Sequence, residues 1–368
     1  ELHWDLFDRL VHFCDPRLTV DFGYDPLGRR LYKLSKAHYR PRPEAGTGWN
    51  ENEHARKERE LGCGFTLYGW DGDTLAWESS PPPYAGALGR TVHYIHEPGT
   101  FVPVAQAIRH ETIRLVSQPA YEGRYNFKED PLWNYKPVAL PIDALAWYQC
   151  DHLGTPQEIT DHNGNTAWSA KYKAWGEAQE QRSEFAQQLG LANPIRFQGQ
   201  YHDHETGLHY NRHRYYDPRV GRFISKDPIG YSGGLNFYLY APNPVLWVDP
   251  SGLSNDPLGG EYNPFLTSRA ARREAMRQAR IPTSQQPVSQ SRNSSGLEFT
   301  YDTPRTGGGT GFSSVQQQTM DVSHPDKPHW EAGRVKVDSI GNPRMSKYGR
   351  PQLRNGKGKA FYSEGCCQ

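Results

Sequence analysis

Cys150-Asp151-His152-Leu153-Gly154-Thr155-Pro156, followed by a second turn signal at Asn163-Gly164, is the stretch whose reading decides the fold. One unit consists of an aromatic or apolar approach, an Asp, a turn with Gly, and alternating residues that lead to the next aromatic. It recurs at Tyr24-Asp25-Pro26-Leu27-Gly28-Arg29 and at Trp70-Asp71-Gly72-Asp73. Asp71-Gly72 and Asn163-Gly164, flanked by strand-like residues, read as hairpins whose central residues take φ > 0. A string of hairpins makes a continuous sheet. The Tyr and Trp side chains at strand ends are expected to stack on neighbouring units and cover open edges.

Composition agrees: 22 Tyr, 10 Trp, 36 Gly and 29 Pro favour many short strands joined by turns over long helices. A chain of 368 residues is long enough for two or three domains. Residues 36–60, with Trp49 through His54, read as an inserted loop or short helix. No apolar run approaches the ~18 residues needed to span a bilayer, and the start at Glu1 lacks the build of a signal peptide. The five cysteines (Cys14, Cys63, Cys150, Cys366, Cys367) are odd in number and contain no CxxC pair, so neither a disulfide framework nor a zinc knuckle is read from them. A reducing compartment of synthesis is expected, with Cys366 and Cys367 in an exposed chain end.

The net charge of +1 conceals an asymmetry: residues 254–368 carry 16 Lys+Arg against 10 Asp+Glu, a balance of +6, and residues 1–253 carry 26 against 31, a balance of −5. The basic tail fits a polyanion binder, although a solvated surface gives the same balance.

From Cys150 to Leu253 the sequence resembles the end of the core of Rhs (YD-repeat) polymorphic toxins. The resemblance is carried in order by Arg196-Phe197-Gln198-Gly199-Gln200-Tyr201, Glu205-Thr206-Gly207-Leu208-His209-Tyr210-Asn211, Arg214-Tyr215-Tyr216-Asp217-Pro218, Gly221-Arg222-Phe223, Asp227-Pro228-Ile229-Gly230 and Asp249-Pro250-Ser251-Gly252-Leu253. It implies a mainly β YD-repeat shell segment at 1–149, a core-associated terminal segment at 150–253, and a small α+β toxin domain at 254–368. It also implies a strand spiral that encloses the toxin, of which these residues would be a fragment or a truncated product.

Two Asp-Pro-x-Gly elements start at Asp227 and Asp249, with 18 residues between Gly230 and Asp249. Taken singly they are turns. By the family resemblance, paired aspartates at these positions promote self-cleavage of the Leu253–Ser254 bond, with Arg214 in support. One carboxyl held protonated would polarise a carbonyl while the other activates water.

In the tail, Thr267 or Ser268 can cap a helix through Arg280 that Ile281-Pro282 ends. On it Arg269, Arg273, Arg277 and Arg280 form one cationic stripe, suited either to phosphates or to solvent, with Ala and Met on the packed side. Residues 283–296 read as a loop, Glu298–Tyr301 as a strand, and Gly307-Gly308-Gly309 as a flexible turn. His324 and His329 are the tail's only histidines, set among Asp321, Asp326 and Glu331. Alternation in Arg334-Val335-Lys336-Val337 argues a following strand, which places both histidines in a loop between strands.

The tail also resembles HNH/endonuclease VII toxin nucleases, in the basic helix leading into Ala279-Arg280-Ile281-Pro282 and in His324 with Pro328-His329-Trp330. The family's third histidine is missing, and residues 341–359 do not read as the helix of a ββα-metal finger. The resemblance implies a DNase used in interbacterial competition: His324 as base, His329 and Asp321 as ligands of a divalent metal ion (Mg or Zn), Glu331 assisting. Partners would be nucleic acid, DNA before RNA, together with an acidic immunity protein, the secretion apparatus and the rest of the shell. The toxin would be made in a bacterial cytoplasm, be secreted, and act in the target-cell cytoplasm. The rivals are a metal-independent RNase using the same histidines, and a non-enzymatic shell or adhesion protein with a binding tail.

Overall fold

The computed structural model describes the chain except residues 85, 117–120, 122, 123, 137, 138, 258, 259, 261–263, 265–267, 305–309, 322, 325, 326 and 363–368. It divides into two compact units. The first comprises Glu1–Glu97, Phe101–Tyr240 and Pro250–Ser254; the second comprises Pro98–Thr100, Ala241–Asp249 and Asn255–Gln368. Among the described residues, no helix is long and apolar enough to cross a membrane.

The first unit is mainly β, as the sequence predicts. Twelve strands, from Leu2–Trp4 to Ala178–Arg182, form one antiparallel sheet in which each strand pairs only with its neighbours in sequence. Alternation sets the faces: in Leu18–Tyr24 the side chains of Leu18, Val20 and Phe22 are buried while Thr19 and Asp21 are partly exposed. The expected division at 149/150 falls inside the strand Ala144–Cys150, and the sheet runs on without a break.

The Asp of each unit closes its turn. Asp151 Oδ1 accepts from the Leu153 and Thr155 amides at 2.9 and 3.0 Å, and Asp161 Oδ1 accepts from the Asn163 and Asn165 amides at 2.8 and 2.9 Å. In both turns only the glycine is left-handed, with φ 75° at Gly154 and 81° at Gly164. The two-residue turn with φ > 0 at both centres is therefore corrected at Asn163-Gly164: the carboxylate cap stabilises a longer turn.

A second sheet holds Tyr201–Asp203, Leu208–Asn211, Arg214–Asp217 and Arg222–Phe223. Aromatics from the large sheet pack on it, with ring centroids 5.4 Å apart for Tyr68–Tyr201 and 5.9 Å for Trp70–Tyr210. They join the two sheets, where the sequence reading placed them on neighbouring repeats. A buried ionic group fastens the same seam. Arg30 Nη1 lies 2.5 Å from Asp203 Oδ2, and Lys33 Nζ lies 3.2 Å from Asp203 and 2.8 Å from Glu205. Residues 36–60 supply the helix Thr47–Leu61, which has no buried residue. Cys14, Cys63 and Cys150 are free thiols; Cys366 and Cys367 lie outside the described residues.

The second unit carries a five-stranded antiparallel sheet: Ser289–Asn293, Gly296–Pro304, Thr310–Gln318, His329–Arg334 and Gly358–Phe361. The helix Ser268–Gln278 packs on it through Ala271, Ala275 and Met276, against Phe299, Val315, Trp330 and Ala360. This is the α+β tail that was expected. The Ser/Gln-rich stretch read as a loop contains the strand Ser289–Asn293; it is exposed along most of its length, so it lacks the apolar alternation that marks a half-buried strand. The strand expected at 334–337 begins earlier, at His329, and continues beyond Arg334 only as bridges at Val335 and Val337. Thr267, Gly307, Gly308, Gly309 and Asp326 lie outside the described residues.

Candidate functional site

In the tail, sequence-local turns and sheet pairing converge on one cluster. His329 is the first residue of its strand and fully buried, while His324 sits in the preceding turn. Their ring centroids are 5.5 Å apart, and Phe361 packs against both at 5.3 and 4.9 Å. Asp321 Oδ2 stands 3.1 Å from His324 Nδ1 and 3.5 Å from His329 Nε2. Glu331 Oε1 is 3.8 Å from His329 Nε2 and 2.5 Å from Lys357 Nζ.

Sheet register adds two residues that the sequence reading missed. Glu331 pairs with Lys359, and His329 with Phe361. Lys359 Nζ thereby reaches 3.1 Å from His324 Nδ1 and 3.9 Å from both Asp321 and Glu331. The only available signal was the alternation Lys359-Ala360-Phe361, short and next to the Gly/Asn-rich run before it.

The electrostatics favour ionised carboxylates. Burial alone would push the Asp321 carboxyl up, but the Ser323 amide, the His324 ring, His329 and Lys359 outweigh it and hold the group at about 2. Burial of Glu331 is likewise outweighed by His329 and Lys357, and its carboxyl also lies at about 2. His329 Nδ1 faces the Lys327 carbonyl at 3.1 Å, and since a carbonyl only accepts, Nδ1 carries the hydrogen. Nε2 is buried with no hydrogen-bond partner and is turned toward two carboxylates. A proton or a cation is its complement. The potential ligand atoms of Asp321, His324 and His329 lie within 4.8 Å of one another, so they fit a divalent ion in number and type. The Lys359 ammonium, however, already supplies positive charge at that position. No helix follows the strand His329–Arg334 among the described residues up to Tyr362, so the helix of a ββα-metal finger is not found there.

Arg269, Arg273 and Arg277 are exposed along the helix. Arg280 departs from the stripe: the helix ends at Gln278, and Arg280 takes φ 58° beyond it.

The processing residues form a second group. Arg214 is buried beneath Asp227, with Nη2 3.1 Å from Oδ2, and its Nε donates to the Gly252 carbonyl. Asp227 also closes a turn, its Oδ1 accepting from the Ile229 amide at 3.0 Å. A Cβ added at Gly233 would overlap Asp227 Oδ2 and stand 3.0 Å from the Leu253 carbonyl oxygen, which places that carboxylate beside the expected scissile bond. Asp249 is buried, and Ser254 is exposed. Trp247–Val248 pairs with Asp256–Pro257, which closes the segment between them into a loop.

The profile of the family described as RHS protein matches residues 145–182. The chain is 36% identical over 264 residues to "Double-stranded DNA deaminase toxin A" of Burkholderia cenocepacia, covering 70% of this chain and 16% of that protein. It is 41% identical over 264 residues to "Toxin protein Tse5" of Pseudomonas aeruginosa, covering 68% and 17% respectively. "Probable deoxyribonuclease RhsA" of Dickeya dadantii is 48% identical over 105 residues, 28% of this chain and 7% of that protein. The chain thus spans about a sixth of the length of the first two relatives. With its ordered core motifs, hairpin sheet and profile match, the chain belongs to the Rhs toxin family.

Proposed function

We propose that residues 254–368 are a nuclease effector that breaks phosphodiester bonds by acid–base chemistry at His324 and Lys359, with the buried His329 positioning the cluster, and with RNA as the substrate this geometry serves best. The observation that carries the reading is the pairing of two imidazoles with the Lys359 ammonium and two ionised carboxylates in one cluster. His324 takes the proton of the ribose 2′-hydroxyl as it attacks phosphorus, the Lys359 ammonium offsets charge on the phosphorane and gives a proton to the leaving 5′-oxygen, and the fully buried His329 stands behind them against Asp321 and Glu331. RNA brings its own nucleophile, so this route is complete without a metal. The deoxyribonuclease name of one relative agrees with a nucleic-acid substrate.

A second reading, metal-assisted DNA hydrolysis with His324 as base and Asp321 and His329 as ligands, is supported by the proximity of those ligand atoms. Incubating the full chain with RNA and with DNA, with and without a chelator, separates the two. RNA cleavage that survives the chelator is the expected result, and chelator-sensitive DNA cleavage would move the assignment to the metal site. A tail that cleaves neither and is harmless inside cells would return it to a binding role.

In this scheme the effector is freed by self-cleavage after Leu253, the toxin is secreted by the producing cell and acts in the cytoplasm of a competitor, and a small immunity protein protects the producer. An acidic immunity protein would match the basic tail.

A further inference from the structure

A cavity of about 360 Å³, within the range of about 300–1,000 Å³ typical of ligand sites, opens where the helix end at Gln278–Arg280 meets the strand end at Gly333–Arg334. Its lining includes Arg280, Arg334, Arg354 and Lys357, together with Asn355 and Gly356, and contains no carboxylate and no aromatic ring. Lys357 is paired with Glu331, and the three arginines around the hollow repel each other unless an anion joins them.

The backbone is arranged to bring these cations together. Arg280 holds φ 58° just past the helix end, a position where glycine is favoured, so an arginine is kept there against a conformational cost. The Arg354 amide donates to the Arg334 carbonyl at 2.8 Å, which sets those two residues side by side, and Arg334 Nη2 is braced on the Pro304 carbonyl at 2.7 Å. A Cβ at Gly358 would overlap the Ala275 carbonyl oxygen, so only glycine lets the helix close over this strand and form one wall. Lys357 links the hollow to the chemistry: its Nζ is 2.5 Å from Glu331 Oε1, the oxygen that faces His329 Nε2 at 3.8 Å.

We propose that this cavity is the strand-holding subsite of the tail: it binds backbone phosphates of single-stranded nucleic acid next to the bond being cut. The inference rests on the nuclease reading and adds Arg334, Arg354 and Lys357 to the exposed helix arginines. With no ring in the lining to stack on a base, the subsite reads charge and spacing, not sequence.

The test uses the full chain carrying His324→Ala, so that the probe survives, and follows fluorescence anisotropy of a labelled oligonucleotide of about 12 nucleotides across a salt series. Adding Arg280→Gly and Arg354→Ala should weaken binding at least tenfold. The slope of log affinity against log salt should fall by about 1.4, at about 0.7 per phosphate contact for a single strand. Oligo(dT) and a mixed sequence should lose affinity equally, and the pair Arg280→Lys, Arg354→Lys should keep the slope, with thermal melting showing that each variant is folded. An unchanged slope in a folded Arg280→Gly, Arg354→Ala variant would overturn the subsite. So would tighter binding of polyglutamate than of the oligonucleotide through the same residues, which would mark a surface for an acidic protein. Normal, salt-dependent binding alongside a wild-type chain that cleaves neither RNA nor DNA would overturn the nuclease reading and leave the phosphate-binding cavity standing.

Discussion

Lys359 Nζ lies 3.1 Å from His324 Nδ1, and that same nitrogen lies 3.1 Å from Asp321 Oδ2. A ring nitrogen without hydrogen accepts from lysine, and one with hydrogen donates to the carboxylate; it cannot do both. The position of a single proton therefore selects the partner of His324. A hydrogen on Nδ1 turns that contact to Asp321, and a lone pair there turns it to Lys359.

This exchange makes Lys359 and His324 separable. His324→Ala should lower kcat by about two to four orders of magnitude with substrate binding little changed. Lys359→Met should lower kcat by about two orders of magnitude, as expected on loss of one group that stabilises transition-state charge. Single-turnover cleavage with anisotropy in parallel checks both, and a Lys359→Met enzyme with wild-type kcat would remove that residue from the chemistry.

Glu331 gives the tail an acid-sensitive term. Its carboxyl is held at about 2, against 4.5 when free, so its contribution is complete above pH 4.5 and is lost as pH falls through about 2. Glu331→Gln should therefore destabilise the tail by about 2 kcal/mol at neutral pH, and the difference from wild type should disappear near pH 2. Urea unfolding across that range is the measurement; a constant difference would mean that packing, not ionisation, is what the substitution removes.

Self-cleavage should give a fragment that begins at Ser254. Asp227→Asn or Asp249→Asn should abolish it. Gly233→Ala should slow it strongly, because the new methyl group would intrude between the Asp227 carboxylate and the Leu253 carbonyl. Intact-mass measurement reads all three, and processing by the double aspartate variant would rule out the carboxylate mechanism.

In the first unit, Asp203→Asn should be the most damaging single polar substitution. Asp203 is fully buried between Arg30 and Lys33, and its loss leaves two buried cations short of charge. The expected cost is about 3–5 kcal/mol by denaturant unfolding, and a change below about 1 kcal/mol would show that Glu205 alone can hold both.

What the sequence disclosed follows from distance along the chain. The Asp-to-Gly turns, the helix face of Ala271, Ala275 and Met276, and the group Asp321, His324, His329 and Glu331 are local patterns, and each was readable as such. Arg30 and Asp203 are 173 residues apart, and Lys359 is 35 residues from His324. Nothing in either neighbourhood announces the partner, because register between distant strands is set by packing that a linear reading does not contain. Ser289–Asn293 escaped for the opposite reason: an exposed edge strand has a ladder but no apolar face.

The twelve-stranded sheet of strictly consecutive neighbours has a further consequence. Every ladder in it joins segments adjacent in the chain, so no strand waits for a distant partner before it can pair, and the wall can assemble in order from one end. The same locality makes it modular over evolutionary time: a hairpin inserted or deleted disturbs only the two ladders it touches. Such a sheet can be lengthened or shortened without redesign of the rest.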